Sequence, residues 1–73
     1  MNFEELLDKA CKAAGLPDMA RIQLPSALSN KTKMMLLELS PEEVGNVLFK
    51  AIENVNHGSV QSIDTLVREQ VGR

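Results

Sequence analysis

The stretch from Ser40 to Gly58, SPEEVGNVLFKAIENVNHG, constrains the fold more than any other part of the chain. Val44, Val47, Leu48, Ala51, Ile52 and Val55 recur at the spacing that places side chains on one face of an α-helix. Both ends carry boundary chemistry. Ser40 reads as the N-cap, Pro41 as the first helical residue, where a missing N–H costs nothing, and Glu43 as the far corner of a capping box. Gly58 suits the left-handed conformation that closes a helix. A helix over about 41–57 is the expectation.

What surrounds it must be small. Seventy-three residues make a single domain, 1–73, near the lower limit for a self-sufficient core. Hydrophobic residues are 44% of the chain, yet there are two Phe and neither Tyr nor Trp. Leu, Ile, Val and Met must therefore fill the interior. A core so short of bulk gains from association, so a homodimer is expected.

Asn2 and Glu5 form a second capping pair, opening a helix over about 2–14 that Gly15 stops. Phe3, Leu6, Leu7, Ala10 and Ala14 mark its buried stripe, with acids early and lysines late, as the helix dipole prefers. Ser26 or Ser29 caps a helix over about 27–39, whose second half, MMLLEL, is apolar almost all round and expected to be buried on several sides. Ser59 or Ser62 caps the last helix, over about 60–71. The expected architecture is a compact all-α domain of four helices. Residues 19–24 stay open. Bracketed by Pro17 and Pro25, they read as a short helix, an extended segment or a short strand, with Ala20, Ile22 and Leu24 alternating with Arg21 and Gln23.

The net charge is −2, with 8 basic and 10 acidic residues, and no basic run marks a nucleic-acid footprint. One cysteine excludes an intrachain disulfide and fits a reducing compartment. The opening MNFEELLDKA carries acids where a signal peptide carries bases, and the longest apolar run, Met34 to Leu37, is far too short to cross a membrane. A soluble, cytoplasmic chain is expected.

Catalytic signatures are missing from the sequence. Cys11 lies near an apolar face and reads as a core thiol, and His57 ends a helix, where it reads as a cap. One Cys and one His make too small a set for a metal site, the scattered glycines form no phosphate loop, and the paired acids Glu4-Glu5 and Glu42-Glu43 serve helix starts. No cofactor, metal or enzymatic activity is expected.

Two features go beyond a plain helical core. Gly45 and Phe49 lie off the main stripe of their helix, one turn apart, with Ile52 a turn further. A helix-interior Gly costs about 1 kcal/mol against Ala and often permits close approach by another element. The first helix or a second copy of the chain is expected at Gly45, with Phe49 buried beside it. These three residues form the candidate interface of a regulatory or adaptor module that acts through helix surfaces.

The second feature is the stretch ARIQLPSALSNKTKMMLLELSPEEVGNVLFKAIENV, a short alternating segment, a proline and two helices. It resembles a ribbon–helix–helix DNA-binding domain, departing from that pattern at Thr32, where an apolar residue is usual, and in lacking a glycine between the helices. The resemblance implies strand-paired dimers in which Arg21 and Gln23 read bases in the major groove, with N–H groups at the second helix start holding a phosphate. This is the alternative expectation: a DNA-binding regulator.

Overall fold

The computed structural model describes residues 2–58 and 60–72. Among these the chain forms five helices and no strand: α1 (Phe3–Ala14), α2 (Asp18–Ala27), α3 (Asn30–Leu37), α4 (Pro41–Asn56) and α5 (Ile63–Val71). The all-α expectation holds, with five helices in place of four.

The boundaries read from caps are found where side-chain chemistry put them. The Asn2 side chain accepts from the Glu5 N–H at 2.8 Å, and Gly15 closes α1 at φ +68°. Ser40 accepts from the Glu43 N–H at 3.3 Å and donates its hydroxyl to the Glu43 carboxylate at 3.1 Å. Past α4, Gly58 takes φ +88°. Ser62, not residue 60, sets the start of α5: its hydroxyl caps the Thr65 N–H at 3.2 Å, while Val60 is fully exposed and has no core to join. Ser59, the other proposed cap, lies outside the described residues.

Residues 19–24, left open between helix, extended segment and strand, are helical, and the predicted 27–39 helix begins only at Asn30. Met19, Ala20, Arg21, Gln23 and Leu24 are all good helix formers, and Asp18 favours a helix start. In a helix Ala20 and Leu24 share one face, and both are buried, leaving Ile22 out at 66% exposure. Pro25 is tolerated one turn in from the end, at the loss of the bond its N–H would give the Arg21 carbonyl. Leu28 then turns extended (φ −101°, ψ 137°) while its own side chain enters the core. Ser29 restarts the chain as N-cap of α3. The apolar run MMLLEL is buried on one side only: Leu36 is inaccessible, whereas Met34 is 68% exposed.

The helices pack around the pair α1 and α4, the most extensive contact in the molecule. Leu6, Leu7 and Ala10 meet Val44, Leu48 and Ala51 in a core that α5 completes with Leu66 and Val67. Gly45 is where α1 crosses. A Cβ there would sit 2.9 Å from the Ala10 carbonyl oxygen and 3.0 Å from the Ala14 Cβ. The close approach foreseen at this glycine is thus made by α1.

A polar latch joins α3 to α5. Asp64 accepts the Ser29 N–H at 2.8 Å and pairs with Arg68 Nε at 3.2 Å, and the fully buried Thr32 shares a 3.0 Å hydroxyl contact with Ser29. Hydrogen bonds from the Ser29 N–H, then from Thr32, hold the Asp64 carboxyl below the usual aspartate range.

Gly45→Ala is expected to destabilise the fold by about 1–3 kcal/mol in urea titrations, because the clash is with backbone and exceeds the helix-propensity gain. A stabilised variant would mean that α1 does not cross there. Asp64→Ala should cost about 1–2 kcal/mol at neutral pH. Since the folded carboxyl titrates below its unfolded value, that contribution is present above about pH 4 and lost as pH falls further. Wild type and variant should converge in acid.

Candidate functional site

The three residues proposed as an interface separate in the structure. Gly45 is buried against α1 and offers no surface to a partner. Phe49 is 49% exposed, so its expected burial under the terminal helices is not found. Small residues at the crossing bring α1 close at Gly45. Ile52 is half-buried and forms part of a groove described below.

Arg21 and Gln23 do not stand together on a strand. On α2 they diverge. The Arg21 guanidinium donates to Asp8 Oδ1 at 2.9 Å and lies 3.9 Å from Asp18, with Lys12 on the other Asp8 oxygen at 3.1 Å. The lysine and arginine hydrogen bonds hold the Asp8 carboxyl below its usual range. Gln23 faces the opposite flank of α2 and enters the groove. The ribbon on which the resemblance to ribbon–helix–helix domains depends is a helix here.

Cys11 opens on a hollow beside Arg21, but the charges around it are already matched with one another. The thiol is 8% exposed, and burial pushes it up toward the protonated form. His57 is the C-cap residue of α4 and is exposed; its backbone N–H donates to the Glu53 carbonyl at 3.0 Å. Among the described residues no group of three His, Cys, Asp or Glu side chains could hold a metal ion, and no helix is long and apolar enough to cross a membrane.

A concave surface lies between α2, the end of α4 and the start of α5. Met19 and Leu24 from α2, Ile52 and Val55 from α4, and Ile63 from α5 wall a groove of about 400 Å³. Its polar groups are the amides of Gln23 and Asn56, and among the described residues no charged side chain lines it. Met19 and Val55 stand at its walls 57% and 42% exposed. Such a surface can take up an apolar ridge and hydrogen-bond neutral polar groups through its two amides. Sequence reasoning missed Met19 here. Pairing Ala20 with Leu24 as i, i+4 neighbours would have turned Met19 and Ile22 outward.

No protein-family model matches the chain, and no curated protein or solved structure is significantly similar to it.

Cys11 should react slowly with iodoacetamide at neutral pH in the folded protein and rapidly in urea, as read by mass spectrometry. Fast alkylation of the folded chain would put the thiol at the surface and reopen a chemical role.

Proposed function

We propose that this chain is a small non-catalytic regulatory or adaptor module that works by docking a protein partner in the groove between α2, α4 and α5. One observation carries the reading: an apolar groove, uncharged among the described residues, whose walls leave Met19 and Val55 about half in water. Apolar side chains gathered around a hollow are a costly surface to keep wet, and such patches mark interaction sites. The polar hollow around Cys11 favours no rival, since its charges are spent on one another. A reducing, cytoplasmic setting fits the single buried thiol.

The test is photo-crosslinking in the cells that make the protein. A benzophenone amino acid replaces Gln23 in the groove or, as a control, the exposed Asn46 on α4. A saturable adduct from position 23, absent from position 46 and abolished by Val55→Glu, is the expected result. Equal labelling at both positions, or none at 23, would remove the groove as a docking site.

A further inference from the structure

We propose that the hydrogen bond from the Ser29 N–H to Asp64 is a clasp that holds the groove in its docking shape, which makes Asp64 the positioning residue of the site. This rests on the reading of the groove as a docking site and names what controls it.

The walls of the groove are unequally held. α4 packs extensively on both α1 and α5, whereas α2 packs extensively on α1 alone. The groove is thus a gap between α2 and the α4–α5 pair. Within α2 only Ala20 and Leu24 are buried, and Pro25 removes one backbone bond from its last turn. An element with so few buried contacts is the kind that opens locally while the core stays folded.

The clasp bridges this gap at one end. Ala27 ends α2, Ile63 begins α5, and both line the groove. Ser29 stands just beyond Ala27 and Asp64 just beyond Ile63, so the 2.8 Å bond between them ties one wall to the other. Leu28 is buried between Ala27 and Ser29. Apolar burial holds that turn near the core without fixing its direction, whereas a hydrogen bond is directional. Asp64 is equipped for the task. Its Oδ1 takes the Ser29 N–H, and its Oδ2 is held at 3.2 Å by Arg68 Nε from the next turn of α5. A charged acceptor makes the stronger hydrogen bond, and the side chain that carries it is only 19% exposed.

The experiment measures the gap directly in the full chain, with Cys11→Ala as background. One pair of spin labels goes on α2 and α4 through Ser26→Cys and Asn54→Cys. A control pair goes on α1 and α4 through Lys9→Cys and Lys50→Cys, all four positions being exposed. Double electron–electron resonance should find one narrow distance for each pair. Adding Asp64→Ala should give the 26/54 pair a second, longer component, raising the open fraction about tenfold, and leave the 9/50 pair unchanged. Asp64→Asn keeps an oxygen acceptor for the Ser29 N–H and should restore most of the narrow distance. The crosslink from position 23 should fall in Asp64→Ala and return in Asp64→Asn. Circular dichroism of every variant guards against unfolding.

A 26/54 distance that ignores Asp64→Ala overturns the inference. So does equal broadening of both pairs, which would mean general loosening, or a failure of Asp64→Asn to restore the distance. A crosslink unaffected by an opened groove overturns it as well. The two levels separate. Unchanged distances with a saturable position-23 adduct in the wild type end the clasp and leave the docking groove standing. The expected distances without that adduct end the docking reading, and with it any docking role for the clasp.

Discussion

The contact on which the rest of the molecule depends is the close crossing of α1 and α4 at Gly45. There the absent Cβ lets the Ala10 backbone lie almost against the α4 backbone. A core without Tyr or Trp cannot fill wide interhelical gaps, so the helices must approach closely, and small residues at the crossing allow it. Leu6, Leu7, Val44 and Leu48 then reach full burial on either side of the crossing.

That crossing also determines how α2 sits. The chain leaves α1 through Gly15, in the left-handed conformation, and Pro17, and α2 follows as a short helix packed against α1. It anchors itself through Ala20 and Leu24, with Leu28 just beyond its end. Two side chains on one narrow stripe cannot seal both flanks of a helix. On one flank Ile22 and Pro25 border a shallow hollow with Leu7, and on the other lies the larger apolar groove. The candidate site is thus a consequence of how little of α2 is buried.

The junction of α3 and α5 follows different physics. α3 is short and begins with an exposed N-cap, and Asp64 reaches across from α5 to take the Ser29 N–H. A buried hydroxyl is costly when unpaired, but Thr32 shares its hydrogen bonding with Ser29 and no described buried side-chain polar atom lacks a partner. Thr32, the departure from the ribbon–helix–helix pattern, is thus a buried part of this joint.

Helix ends were readable from the chain because a cap is decided within about four residues. Asn2, Gly15, Ser40 with Glu43, and Gly58 each act on backbone groups one turn away, and each behaves as its local chemistry dictates. The stripe of α4 was equally clear, since three turns of spacing leave a single solution. Residues 19–24 were not decidable in this way. Ala20 and Leu24 fall on one face both in a strand and in a helix, and the two readings differ in where Ile22 goes and in whether Arg21 and Gln23 stand together. That is decided by which surface α1 and α4 present, a property of the assembled fold. Phe49 is the same case. Its place off the main stripe was written in the spacing, but how much of the ring its neighbours cover, with 49% left exposed, belongs to the assembled fold and no local pattern encodes it.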